Sequence, residues 1–300
     1  MTTFQRQSNE NRVFGRLKEW SEFIKFEHSV FALPFALSAL LLASPNHWPP
    51  LETVGWVILA MISGRTYAMA MNRLLDATID AKNPRTQNRS LPAGRMSQWE
   101  AWGLTLAAAL GLCVATYQLP ALCQALLPVA FVILTVYSLF KRFSPLAHLV
   151  LGVALGSSSV GAWIALTGAW SGWAVLFGLA VMFWVAGFDV IYACQDEDFD
   201  REHHLHSIPV WLGRGRALQV SQLFHGLMLL CLVSFGLGYP QTVGIFYWLG
   251  LLFLSWKLLQ QHALVSLTSL EKVNEAFFVV NGQISVLFFV LILLDKLVAL

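Results

Sequence analysis

The sequence predicts an all-α, polytopic membrane protein with nine transmembrane helices in one bundle, and three observations carry that prediction. Of its 300 residues, 57% are hydrophobic and only 12% charged, about half the roughly 25% charge of an average soluble domain. A soluble chain of this length would lack the polar side chains to cover its outside. Apolar runs of about 20 residues, the length that crosses a hydrocarbon core, recur nine times, and the basic residues between them gather at alternate connections.

In chain order, residues 1–26 form a polar arm without the short apolar core and small-residue cleavage site of a signal peptide. Within it Phe14, Leu17, Trp20, Phe23 and Ile24 recur at helical spacing against Arg16, Lys18, Glu19 and Glu22, which predicts an amphipathic helix lying in the membrane interface. The membrane domain, 27–300, follows. Its first two spans are 27–44 and 53–75. Spans 99–118 and 121–140 are joined by a very short turn at Pro120, and spans 146–167 and 172–193 by one carrying Gly168 and Gly172, so each pair is a tight antiparallel hairpin. The last three spans are 217–237, 241–260 and 276–298. Trp48, Trp99, Trp170 and Trp173 fall near span ends, where an amphipathic ring sits best. Cys113, Cys123, Cys194 and Cys231 lack metal-finger spacing and read as small packing residues.

Eighteen of the nineteen Lys and Arg residues fall on one side, with Lys296 alone opposite. The positive-inside rule puts that side, the N-terminus and the even-numbered connections in the cytoplasm and the C-terminus outside. A bacterial inner membrane is the expected location. The net charge of +2 carries no indication of nucleic-acid binding, and no obligate protein partner is inferred.

Carboxylates near a bilayer are expensive and mark function. At the charged end of the second span stand Asn72, Asp76 and Asp80, spaced i, i+4, i+8 on one helix face. At the charged end of the sixth span stand Asp189, Tyr192, Asp196 and Asp200, also phased to share a face. The two segments correspond at an offset of 120 residues, and each leads into a polar, basic loop with a Ser-aliphatic-Pro step, Ser90-Leu91-Pro92 and Ser207-Ile208-Pro209. This is the pattern of a diverged internal repeat. Two such units facing one another would converge carboxylates that repel unless neutralised. Hard oxygen donors favour Mg²⁺, which commonly bridges carboxylates to a phosphate ligand. Arg85, Arg89, Lys141, Arg142, Lys25 and Arg65 are the candidates for the remaining phosphate oxygens. The combination implies a phosphorylated substrate with a lipid tail. Each charged loop taken alone also reads as a solvated topogenic loop, Asp189 as half of a salt bridge, and His203, His204 and His206 as loop histidines without zinc spacing.

These residues resemble the UbiA superfamily of intramembrane aromatic prenyltransferases, over residues from about 20 to the last span. Asn72, Asp76 and Asp80, followed by Asn88-Arg89-Ser90-Leu91-Pro92-Ala93-Gly94, match its first signature; Tyr192, Asp196 and Asp200 match its second; Tyr137 to Arg142 is similar to its basic motif. Arg73 stands where many members have Asp. Lys25-Phe26-Glu27-His28 leading to Phe31 and Pro34, with His206 to Pro209, looks more like the menaquinone-pathway branch than the 4-hydroxybenzoate enzymes. The resemblance implies transfer of a polyprenyl group from a polyprenyl diphosphate to a ring carbon of an aromatic acid in quinone biosynthesis, the acceptor a dihydroxynaphthoate or otherwise 4-hydroxybenzoate. Asp76, Asp80, Asp196 and Asp200, with Asn72, would hold Mg²⁺ on the diphosphate. Lys141, Arg142 and the loop arginines would stabilise the leaving group, and Asp189 or Tyr192 would orient or deprotonate the acceptor phenol. A proton- or ion-coupled transporter is the main alternative, but it predicts carboxylates near mid-membrane. A phosphatidyl-alcohol transferase would carry its aspartates in one continuous segment that this chain lacks.

Overall fold

The computed structural model describes residues 15–16, 18–25, 29–266 and 269–299. Among them, nine longer helices follow the nine apolar runs: α1 (Ser29–Leu42), α2 (Leu51–Asp80), α3 (Gln98–Tyr117), α4 (Ala121–Val136, extended by a 3-10 turn, Tyr137–Arg142), α5 (Ala147–Thr167), α6 (Gly172–Ala193), α9 (Arg214–Gly238), α10 (Ile245–Ala263) and α11 (Asn281–Ala299, entered through a π-helical turn, Glu275–Val280). The short helices α7 (Glu197–Glu202) and α8 (Ile208–Leu212) lie between α6 and α9. Seven of the nine are long and apolar enough to cross a membrane by themselves. Of the other two, α1 has 14 residues, and α10 carries Lys257, Gln260, Gln261 and His262 toward its end. Both are held by neighbours: α1 packs on α5 and α11, and α10 on α11.

Both short turns make hairpins as expected. The α5–α6 pair is built on small residues: a Cβ at Gly156 would run into the carbonyl oxygen of Gly178, and one at Gly152 into that of Met182. Backbone therefore lies against backbone, the arrangement small residues permit between membrane helices. Gly168 ends α5 in the left-handed conformation, φ 69°, which glycine adopts without a Cβ penalty. Helix α6 is the central post, with Phe177, Val181, Trp184 and Val185 fully buried. The Trp184 indole donates to Asn281 Oδ1 at 3.1 Å, satisfying the one polar atom of that side chain.

The two ends of the bundle differ in character. At one end Asp295 accepts from the backbone N–H groups of Gly244, Phe246 and Tyr247, and Lys296 donates to the Ser44 carbonyl, tying the tip of α11 to two connections. At the other end lie the close of α2, α4 and α6 and the start of α3, α5 and α9, with the charged loops. Residues 18–24 are helical there. They dock on the bundle: Phe23 is buried against Ala70, Met96 and Ala101, and Glu19 pairs with Arg95 at 3.1 Å. Phe14, Leu17, Phe26, Glu27 and His28 lie outside the described residues, and so does the side chain of Phe31.

Candidate active site

Helix α2 runs unbroken to Asp80, so Asn72, Asp76 and Asp80 do stack along one face. Acids at a helix C-terminus oppose the macrodipole, and these two carboxylates are almost fully buried, Asp76 1% and Asp80 4% exposed. They are stable there because cations and donors surround them. Asp76 takes Lys141 at 2.6 Å, Arg142 at 3.4 Å and the Asn72 amide at 3.0 Å. Asp80 takes Arg89 through both oxygens at 2.7 Å. Arg73 lies 3.9 Å from Asp80, and its Nε donates to the Phe23 carbonyl at 3.5 Å. The residue that departs from the family pattern is thus a buried counter-ion of Asp80 that also holds the N-terminal segment.

The second acidic segment is not one continuous helix, which corrects the expectation of a shared face. A 3-10 turn, Cys194–Asp196, separates α6 from α7. The break places Glu197, Asp198 and Asp200 in the first turn of a new helix, where negative charge suits the dipole, instead of the last turn of a long one. Asp189 then turns to His148, Nδ1 to Oδ2 at 2.7 Å, while Asp196 and Tyr192 turn to Arg85. Arg85 forks onto both Asp196 oxygens, donates to the Tyr192 hydroxyl at 3.2 Å and sits over its ring. Asn83 donates to Asp196 at 3.1 Å. Burial alone would lower the pKa of Arg85, but the hydrogen bond and charge of Asp196 hold it above its ordinary value. The loop after α2 therefore crosses to the second motif, and the two repeats do face one another. Among the described residues Asp200 has no ion pair of this kind. Cys194 is buried, its thiol against the Val190 carbonyl, as a packing residue, and all four cysteines are free.

Beneath the acids lies an apolar cavity of about 460 Å³ between α2, α4, α5 and α6, inside the usual range for ligand sites. It runs along α5 from Leu151 to Ala165, about 21 Å at the helical rise. Two polar side chains mark the end nearer the acids. Tyr137 donates to the Ala68 carbonyl at 3.2 Å and lies within electrostatic range of Arg65, Asp76 and Asp189. Arg65 lines the cavity, and its Nε is buried without a hydrogen-bond partner.

Arg65 is accordingly not beside the carboxylates. It stands eleven residues before Asp76 on the same unbroken helix, about 16 Å deeper at the helical rise. That depth was readable from spacing. Lys25 ends the N-terminal segment with φ 50° and pairs with no carboxylate among the described residues. His148 and Asn83 were not singled out from sequence, because neither sits in a repeated motif. No three acidic, His or Cys side chains form a ready-made metal cage among the described residues.

The sequence pattern of the UbiA prenyltransferase family matches residues 32–291. The chain belongs to that family. It is 33% identical over 220 residues to the 4-hydroxybenzoate solanesyltransferase of Synechocystis sp., covering 72% of this chain and 73% of that one. A UbiA homolog from Aeropyrum pernix K1, in its apo form, superimposes with a TM-score of 0.81 at 32% identity, over 90% of this chain and 98% of that one. A UbiA homolog from Archaeoglobus fulgidus bound to DMAPP and Mg²⁺ shares the fold, with a TM-score of 0.71 at 18% identity, over 93% and 99% of the two chains. This UbiA-family chain is thus an all-α, polytopic integral membrane protein of the prenyltransferase class. The relative from Synechocystis points toward the 4-hydroxybenzoate branch, away from the menaquinone-pathway resemblance of the first span.

Proposed function

We propose that this protein transfers a polyprenyl group from a polyprenyl diphosphate to a ring carbon of 4-hydroxybenzoate or a closely similar hydroxylated aromatic acid. The observation that carries this reading is the convergence of two DxxxD segments and five basic side chains over the mouth of an apolar cavity. A phosphorylated head belongs among the charges and its tail in the cavity. The acceptor follows from the named substrate of the Synechocystis relative and from Arg65, a cation with an unpartnered Nε inside a mostly apolar chamber, where a carboxylate is the fitting counter-charge.

The donor set fits Mg²⁺: Asp76 and Asp80 on one segment and Asp196 and Asp200 on the other would hold it through hard carboxylate oxygens, the donor type this ion prefers. When bound, the metal draws electron density from the diphosphate and makes it a better leaving group. Lys141, Arg142, Arg85 and Arg89 already lie on those carboxylates and are placed to take up phosphate oxygens, with Asn72 beside them. As the allylic C–O bond breaks, its electron pair leaves on the diphosphate, and these cations stabilise the charge. Apolar walls keep water from the allylic cation. The ring carbon attacks, a C–C bond forms, and its proton departs to the diphosphate. Asp189, near the Arg65 end, takes the phenol proton during the attack. The charged end faces the cytoplasm by the positive-inside rule, all nine helices span, and a bacterial inner membrane is the setting.

The test uses the full chain in lipid nanodiscs with a labelled polyprenyl diphosphate, 4-hydroxybenzoate or a dihydroxynaphthoate, and Mg²⁺ or excess chelator. Transfer to 4-hydroxybenzoate that needs Mg²⁺ and is abolished by Asp76→Asn or Asp196→Asn is expected. Transfer that ignores both substitutions, or none to either acceptor, would overturn the reading.

A further inference from the structure

His148 opens α5, in its first turn, and is 4% exposed, within electrostatic range of Asp200. Its two nitrogens have different partners. Nδ1 faces Asp189 Oδ2 at 2.7 Å, and Nε2 accepts the backbone N–H of Ile208 at 3.3 Å. An amide can only donate, so Nε2 holds its lone pair and the ring proton is on Nδ1. His148 Nδ1–H therefore donates to Asp189 Oδ2. Asp189 Oδ1 has no partner among the described residues, and the side chain is 23% exposed. One carboxylate oxygen is held and the other is open.

The amide that sets this tautomer belongs to the first residue of α8. Ser207 and Ile208 are buried, the Ser207 hydroxyl accepts from the Val210 N–H, and the His206 N–H donates to the Lys141 carbonyl at 2.7 Å. A single stretch, His206 to Ile208, is thus bonded both to Lys141, whose ammonium pairs with Asp76, and to the imidazole behind Asp189.

Building on the function proposed above, we infer that His148 is a positioning residue for acceptor activation: held in one tautomer by the Ile208 amide, it orients Asp189 so that Oδ1 receives the phenol proton of the aromatic acceptor. The proton moves from the phenol oxygen to Oδ1 as the ring carbon forms its bond to the prenyl carbon. The ring proton then leaves to the diphosphate, and Asp189 returns its own proton to the oxygen. No atom or electron is left over. The 206–208 stretch keeps the donor-side lysine and the acceptor-side base in register. The Ser-aliphatic-Pro step that repeats in the sequence has, in its second copy, this specific task.

The test is steady-state kinetics of His148→Ala and His148→Asn in nanodiscs. Acceptors are 4-hydroxybenzoate and a ring-fluorinated or nitrated analogue whose phenol is ionised at the assay pH. His148→Ala is expected to lower kcat for 4-hydroxybenzoate by about 10²-fold, the usual scale of a lost proton-transfer contribution, with the donor KM unchanged. The loss shrinks several-fold for the pre-ionised acceptor, which has no proton to give. His148→Asn, whose amide N–H approximates Nδ1–H, restores part of the activity. An equal loss for both acceptors, a raised donor KM as the main effect, or no loss at all would overturn the assignment. A wild-type protein that prenylates neither acceptor would remove the function proposed above and this inference with it.

Discussion

Replacing Arg65 by Met removes one charge from the cavity while keeping an apolar side chain of similar length. The structure sets the size of the effect. Arg65 lies about 16 Å from the level of Asp76 along α2, with its Nε buried and unpartnered, so it is free to make a forked contact with a carboxylate. Two hydrogen bonds to a charged group contribute about 1.5–3 kcal/mol each. Desolvation of the incoming carboxylate offsets part of that, leaving about 3 kcal/mol, or roughly a 150-fold loss in kcat/KM for the acceptor. The assay varies 4-hydroxybenzoate at saturating donor, then the donor at saturating acceptor, and repeats both with neutral 4-hydroxybenzamide. Arg65→Met is expected to penalise the acid about 10²-fold and the amide hardly at all, with an unaltered donor KM. Donor KM rising while the acid and the amide respond alike would refute the reasoning and return Arg65 to the diphosphate.

Three further outcomes follow from the contacts. Arg85→Lys keeps the charge but loses the fork that holds both Asp196 oxygens and the Tyr192 contact, so donor kcat/KM is expected to fall at least about 10-fold, since lysine does not replace arginine at a bidentate site. Asp295→Ala orphans three backbone N–H groups and should destabilise the fold by about 3–5 kcal/mol, read from thermal unfolding in detergent, with the folded fraction keeping its kcat. Gly178→Val drives side-chain atoms into Val160 and the Gly156 carbonyl and is expected to cost about 1–3 kcal/mol of stability by overpacking, visible as a lowered midpoint in the same unfolding experiment.

The apolar runs, the two acidic segments and the one-sided basic loops were legible because each is a local property of the chain. A helix crosses a bilayer only if about 20 consecutive residues tolerate it, and i, i+4 spacing aligns side chains wherever the helix is continuous. The prediction failed where continuity failed. The turn at Cys194–Asp196 redirects Asp189 away from Asp196, and one-dimensional phasing carries no sign of it beyond the run of acids that a new helix N-terminus accommodates. Arg73 looked like a departure from a metal-binding pattern, and only its neighbours, Asp80 and the Phe23 carbonyl, reveal a structural cation.

By itself the sequence determined that the chain lives in a membrane, that most of its charged side chains gather at one end, and which residue types are available there. The tertiary structure alone decided the pairings. Arg85 reaches Asp196 across 111 positions while Arg89 stays with Asp80, His148 finds Asp189, and Arg65 enters the cavity near Tyr137. Hydrophobicity and helical period act between near neighbours in sequence. Charge pairing acts through space, and its partners are chosen by whichever side chains the packed helices bring within a few ångströms.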